Sequence, residues 1–156
     1  MSFDYRATNL KTGTTFEFDD IDGFLEQGGN NDHKVECLAS DNSELFDLLA
    51  IDGSTIGIWL EQLNDLEGDD RVIAHYLVEQ CGYCVQDDLV DCARDVLMYA
   101  GDIEELARER VEDDVRDLPE YVARYIDYEA FGRDLILGGD YAEFEFEGAT
   151  YYMGAV

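Results

Sequence analysis

The segment from Leu118 to Leu135 sets the terms for the rest of the chain. It gathers the aromatics Tyr121, Tyr125, Tyr128 and Phe131 and the aliphatics Val122, Ile126 and Leu135 among regularly spaced acids, and it carries the only proline, Pro119. The chain has 38 acidic against 10 basic residues, a formal net charge of -28. Carboxylates without cationic partners cannot be taken out of water without a large desolvation cost. Every acidic element must therefore be mounted on an apolar frame that keeps its charges outside, and 118–135 reads as part of that frame.

The frame has enough material. Hydrophobic residues make up 46% and aromatics 12% of 156 residues, which places the chain among folded proteins and allows a real core. No apolar run approaches the roughly 18 residues that suggest a membrane span. Met1-Ser2-Phe3-Asp4-Tyr5 has neither a basic n-region nor an apolar h-region, so a cytoplasmic protein is expected.

The pattern predicts an α+β fold of elongated form: a small N-terminal sheet with a helix, then mainly helical modules, then a short C-terminal hairpin. Strands are expected at 3–8, 14–18 and 35–38, with a helix capped by Asp20 or Asp22 between the last two. Asp41-Asn42-Ser43-Glu44 fits a capping box before Leu45. From Ser54 the period turns helical: Ile56, Trp59, Leu60 and Leu63 share a face, and a further helix from Asp69 or Asp70 points Val72, Ile73, Tyr76, Leu77 and Cys81 inward. A helix is predicted over 86–100, with Leu89, Ala93, Val96, Leu97 and Ala100 as its apolar stripe. The next runs over 102–116, with Ile103, Leu106, Ala107, Val111 and Val115 inward. Pro119 fits the first turn of a helix carrying Tyr121 and Tyr125, and Asp127 restarts one through Leu135. Tyr141 to Glu147 alternates aromatic with acid, Gly148 turns, and Thr150 to Met153 returns. Seams near Gly53 and Gly101 give three abutting modules: 1–53, 54–100 and 101–156.

Candidate chemistry is sparse. Cys81 and Cys84 have the spacing of a zinc half-site, and His33, Cys37, Cys81 and Cys84 together offer four ligands. Against this, Cys81 and Cys92 fall on predicted apolar faces, where cysteine acts as a small hydrophobe, and nothing is arranged to lower a thiol pKa. In Asp19-Asp20-Ile21-Asp22-Gly23, setting Gly23 at position 6 of a calcium loop puts Phe18 and Gly29 at ligand positions, and both fail. With two histidines, no nucleophile elbow and no phosphate-binding glycine pattern, no catalytic residues, metal or cofactor are assigned, and an enzyme is not expected.

The acids are the remaining feature. Net charge on this scale repels nucleic acid and anionic lipid, and it attracts the basic DNA-binding surfaces of other proteins. Two explanations fit: adaptation to a salt-loving host, supported by two lysines against eight arginines and by an excess of Asp over Glu, or imitation of a phosphate backbone. On the predicted helices, Asp87, Asp88, Asp91 and Asp95 share one face, and Asp102, Glu105, Glu109, Glu112 and Asp113 another. Helical neighbours three or four residues apart lie about 5–6 Å apart, while each DNA strand carries a charge per about 3.4 Å. Matched at duplex density, the whole net charge would cover at most roughly 48 Å of DNA.

At this point the residues resemble a known family. Tyr125-Ile126-Asp127-Tyr128-Glu129-Ala130-Phe131-Gly132-Arg133-Asp134-Leu135, followed by Gly139-Asp140-Tyr141, is similar to the C-terminal signature of the ArdA antirestriction proteins. Met98-Tyr99-Ala100-Gly101-Asp102-Ile103-Glu104-Glu105-Leu106-Ala107 resembles the segment before it, and Ala74-His75-Tyr76-Leu77 with Gly82-Tyr83 the helix and turn before that. The resemblance covers about residues 70–141. It implies an elongated, mostly dimeric DNA mimic, carried by mobile elements, that occupies the DNA-binding groove of type I restriction–modification enzymes and inhibits them stoichiometrically. The nine acids named above would form the mimic surface, and Tyr121, Tyr125, Tyr128 and Phe131 would serve as core or homodimer contacts. A DNA mimic aimed at another target, such as a CRISPR effector or nucleoid protein, and an ordinary acidic domain of a halophile are the alternatives.

Overall fold

The computed structural model describes residues 3–155 and shows an α+β protein. It divides into two compact units, one through Ala93 and one from Arg94.

The first unit begins with a three-stranded antiparallel sheet of order β2-β1-β3, formed by β1 (Tyr5–Asn9), β2 (Thr15–Phe18) and β3 (His33–Cys37). Alternation sets its faces: Tyr5 and Ala7 are buried while Arg6 and Thr8 are partly exposed. The buried face meets α1 (Ile21–Glu26), whose cap Asp20 accepts the Gly23 amide at 2.6 Å, and an aromatic cluster of Tyr5, Phe16, Phe18 and Phe24. His33 completes this cluster edge-on and is buried. Both outer strands are covered. The Gln27 amide donates to the Glu17 carbonyl at 3.0 Å, and the Gly53 amide donates to the His33 carbonyl at 2.9 Å.

Four helical pieces complete this unit: α2 (Ser43–Leu48), α3 (Ile56–Ile58), α4 (Gly68–Glu79) and α5 (Leu89–Ala93). After Ile58 the α3 helix widens into a π turn over Trp59–Leu63, with the Asn64 amide on the Trp59 carbonyl. Ile56, Trp59 and Leu63 are buried as their spacing predicts, and the Trp59 indole donates to the Tyr5 hydroxyl at 2.8 Å. The capping box expected at 41–44 does not form. Asn42 holds the cap position, but its side chain is spent elsewhere: Nδ2 donates to the carbonyls of Leu63, Asn64 and Leu66, and Oδ1 accepts from Arg71 Nε at 2.8 Å.

The helix predicted over 86–100 is broken into three conformations. A 3-10 turn, Val85–Asp87, ends at Asp88, whose φ of 52° is left-handed; α5 follows, and Val96–Ala100 is a strand, β4. Two causes compete successfully with the helical pattern. The Asp87 carboxylate turns back to accept the Cys84 amide at 2.7 Å, and Val96, Leu97 and Tyr99 find strand partners more than 50 residues away.

That pairing organises the second unit. β5 (Tyr141–Phe146) and β6 (Ala149–Ala155) form the expected hairpin, and β4 adds on the far side to give order β4-β6-β5. Glu147 and Gly148 both have positive φ, 51° and 81°, as a two-residue hairpin turn of the primed type requires. α6 (Ile103–Asp114) is capped by Asp102 and α8 (Tyr128–Leu137) by Asp127, each accepting an amide three residues on. The short α7 (Glu120–Ala123) follows Pro119, which takes the cap position in extended conformation. Leu106, Ala107 and Leu135 are buried, whereas Val115, expected inward, is 47% exposed because α6 has ended before it. α6 and α8 pack closely at Gly132, where a Cβ would lie 2.7 Å from the Ile103 carbonyl oxygen. Among the described residues no helix is long and apolar enough to cross a membrane.

Candidate functional site

Every carboxylate in the described chain is exposed except Glu17 and Asp32, which are partly buried. Those two are held by cations. Arg6 bridges Glu17 at 3.0 Å between neighbouring strands, and Lys11 reaches Asp32 at 3.1 Å. The acids are thus a surface phenomenon, and their arrangement depends on the elements below.

The nine candidate acids fall into two groups of different character. Asp87, Asp88, Asp91 and Asp95 do not share a helical face. Asp87 ends the 3-10 turn, Asp88 is left-handed and accepts the Asp91 amide at 3.2 Å, Asp91 lies in the first turn of α5, and Asp95 stands in the turn before β4. All four are exposed, but their spacing is that of a folded loop. The Cys84 amide, and then its side chain, hold the Asp87 carboxyl below the ordinary aspartate range.

The second group does lie on one element. Asp102 caps α6, and Glu105, Glu109, Glu112 and Asp113 recur along it at i, i+4 and i+7/i+8, so they form a single exposed stripe. The arginines of this helix face other partners: Arg110 pairs with Asp114 at 3.1 Å, and Arg108 stacks over the Tyr128 ring at 5.0 Å. None of the four stripe acids joins an ion pair among the described residues. Tyr99 of β4 borders the start of the stripe. Burial raises its phenol pKa first, and the charges of Glu109, Glu105 and Asp102 add to the rise. A Cβ on Gly101 would meet both the Tyr99 ring, at 2.8 Å, and Glu105 Oε2, at 2.9 Å, so ring and carboxylate close over this glycine. Sequence reasoning left Tyr99 out because its strand was read as helix.

A longer acid-rich run of sequence contains the first group and the start of the second. Between residues 35 and 107 there are 18 acidic residues and only two basic ones, Arg71 and Arg94. Asp41, Glu44 and Asp47 surround α2, and Glu61, Asp65, Glu67, Asp69 and Asp70 run from the π turn into the first turn of α4. Asp4, Asp41, Asp65 and Glu67 line a concavity of about 390 Å³. Its walls are fixed by Asn42, and by Arg71 Nη2 donating to the Asp41 carbonyl at 3.1 Å. The scarcity of cations in this run was the available signal.

The aromatic candidates also divide. Tyr121 and Tyr125 are 67% and 89% exposed, whereas Tyr128, under Arg108, and Phe131 are partly buried against their own unit. Among the thiols, Cys81 is exposed beyond the end of α4 rather than on its inner face, Cys84 is exposed, and Cys37 and Cys92 are half-buried. The four candidate ligands His33, Cys37, Cys81 and Cys84 are not gathered. No group of three or more His, Cys, Asp or Glu suited to a metal occurs among the described residues.

Comparison with known proteins returns no match among curated proteins. It does return one family. The family model described as antirestriction protein (ArdA) matches residues 33–148, which takes in α2 through β5, the acidic run and the Tyr125–Leu135 signature. With about three quarters of its length matched, this chain belongs to the ArdA family of antirestriction proteins.

Proposed function

We propose that this antirestriction protein acts as a mimic of duplex DNA, filling the DNA-binding groove of a type I restriction–modification enzyme and inhibiting it one-to-one without catalysis. The observation that carries the proposal is that the acids of residues 35–107 are all exposed while only two basic residues accompany them. Phosphate contacts supply much of the affinity of proteins for DNA, and they are geometrically undemanding compared with base contacts. A surface of fixed carboxylates therefore competes for the same lysines and arginines without presenting bases. The work is spread over Asp41, Asp65, Asp69 and Asp70, over Asp87, Asp88, Asp91 and Asp95, and over Asp102, Glu105, Glu109, Glu112 and Asp113. Exposed Tyr121 and Tyr125 would join two copies into a homodimer with a longer track.

The test is competition. The protein should displace a DNA duplex from a type I methyltransferase core at one binding equivalent, with affinity falling steeply between 50 and 200 mM salt, by about 10³-fold or more if six to ten contacts are replaced. Binding that leaves DNA in place, or that does not weaken with salt, refutes groove mimicry. A panel including a CRISPR effector and a nucleoid protein reads out the target class in the same experiment.

A further inference from the structure

The geometry points to a redox-active dithiol at Cys81 and Cys84, which closes to an intramolecular disulfide by exchange with a small-molecule disulfide. Nothing in the proposed mimicry uses these residues, and the inference does not rest on that reading.

The four cysteines occupy different environments. Cys37 is half-buried, and burial, then the charge of Asp47, raises its thiol pKa, which withholds the reactive thiolate. Cys92 is half-buried and its thiol donates to the Asp87 carbonyl at 3.1 Å. Only Cys81 and Cys84 are exposed, and they sit in an unbroken exposed stretch from Glu79 to Cys84. Buried anchors stand on either side, Leu77 in α4 and Val85 in the 3-10 turn, so the two thiols span a short link between fixed points.

The link is built to turn. The Cys81 amide donates back to the Tyr76 carbonyl at 3.4 Å and the Tyr83 amide to the Leu77 carbonyl at 3.0 Å, so α4 ends in a widened turn. Gly82 has φ +73° and nothing within 4 Å of where a Cβ would stand. Gly82 and the open space around it let 81–84 adjust toward the roughly 4.4–6.8 Å between Cα atoms that a disulfide needs, and closure exchanges the hydrogen bond between the Cys81 side chain and Tyr76 for the S–S bond. Cys84 Sγ accepts the Asp87 amide, which orients it at the head of the 3-10 turn.

The chemistry balances in two exchanges. One thiolate attacks the reagent disulfide, forming a mixed disulfide and releasing one reagent thiol. The second thiolate attacks the protein sulfur of that mixed disulfide, closing Cys81–Cys84 and releasing the second. The protein loses two electrons and two protons, and the reagent disulfide is reduced to two thiols. Because the protein carries a charge of -28, neutral or cationic disulfides should react faster than anionic ones.

The experiment treats the full chain, folded and reduced, with neutral hydroxyethyl disulfide, quenches with acid, and maps the tryptic peptide Val72–Arg94, which contains Cys81, Cys84 and Cys92. The expected result is loss of two hydrogens with the bond placed at Cys81–Cys84, while Cys37 and Cys92 stay reduced. Cys81→Ser and Cys84→Ser should each hold one mixed adduct. Wild type should hold about a tenth as much or less, because the internal thiol acts at millimolar effective concentration. Far-UV circular dichroism of each variant confirms that exposed serine leaves the fold intact. Stable adducts on both wild-type thiols, no reaction at either, a bond to Cys92 or Cys37, or a covalent dimer would each overturn the proposal.

Discussion

Gly132→Ala isolates the physical reason for a glycine inside the Tyr125–Leu135 signature. In an exposed helix interior this change stabilises by about 1 kcal/mol through chain entropy and propensity. At Gly132 the added Cβ would stand 2.7 Å from the Ile103 carbonyl oxygen and 2.6 Å from Ile103 Cγ1. A rotamer change relieves the second contact but not the first, so α6 and α8 must separate by something like 0.7 Å to reach ordinary contact at about 3.4 Å. Overpacking of this kind costs about 1–3 kcal/mol, which outweighs the helix gain and leaves an expected net loss of about 1–2 kcal/mol. Gly57→Ala in α3 is the control, because its new Cβ would meet nothing closer than Ile21 Cδ1 at 3.7 Å; it should gain about 0.5–1 kcal/mol. Urea unfolding followed by circular dichroism measures both, and hydrogen exchange locates the loss in the α6 and α8 amides. Gly132→Ala as stable as wild type, alongside a stabilising Gly57→Ala, would refute the close-approach argument.

Three further outcomes follow from the same structure. Asn42→Ala should destabilise the first unit by about 2–4 kcal/mol, because it leaves three carbonyls and the Arg71 donor without their shared partner; thermal melts check it. Burial pushes the phenols of Tyr5 and Tyr76 up to about 12 from 10. A raised folded pKa means that this stability is fully present below pH 10 and is lost as pH climbs from 10 to 12, so the denaturation midpoint should fall in that window, with phenolate absorbance at 295 nm rising as the chain unfolds. Tyr121→Ser combined with Tyr125→Ser should leave the melting temperature within about 2 °C of wild type, since both rings are exposed, and under the proposal that these rings join two copies it should shift sedimentation from dimer to monomer. A species of unchanged mass would remove these rings from the self-contact.

How legible was the architecture? Local rules held where local chemistry decided. Asp20, Asp102 and Asp127 each cap the helix that starts beside them, and the Tyr141–Glu147 alternation yields the predicted hairpin. The strand at Val96–Ala100 was illegible because its partner, β6, lies more than 50 residues on, and its apolar spacing suits either period. The capping box expected at 41–44 failed in the opposite sense: the cap falls on Asn42, whose side chain is drawn into a buried hydrogen-bond hub by carbonyls at and just after the end of a π turn that no propensity rule anticipates. Of the candidate acids, the α6 stripe was readable because the helix is regular. Asp87 and Asp88 were misplaced because an aspartate able to bond a nearby amide competes with the helix it was assigned to.

The placement of the few cations bears on why the charge is there at all. Salt adaptation has no reason to sort bases along the chain, since counterions screen exposed charges within about 8 Å at physiological ionic strength. Yet Arg108, Arg110, Arg116, Arg124 and Arg133 crowd into 26 residues, and Arg6, Lys11 and Lys34 belong to the N-terminal sheet and its loop, leaving two cations across residues 35–107. Several of the sorted cations are also spent close to home: Arg6 on Glu17, Lys11 on Asp32, Arg110 on Asp114, Arg133 on Glu129, and Arg108 on the Tyr128 ring. Exposed pairs of this kind stabilise by at most about 1 kcal/mol, so stability alone gives little reason to confine them. Keeping cations out of the acid-rich run has a function only if something must read its carboxylates as negative, and under the proposed mimicry the lysines and arginines of a DNA-binding groove would read them so. The discriminating measurement is to install three lysines on the acidic run, at Glu44, Glu61 and Asp69. On the salt-adaptation account the variant binds the methyltransferase as wild type does. On the mimic account it loses competition with DNA while its melting temperature holds or rises, because relief of like-charge repulsion stabilises the fold even as it spoils the surface.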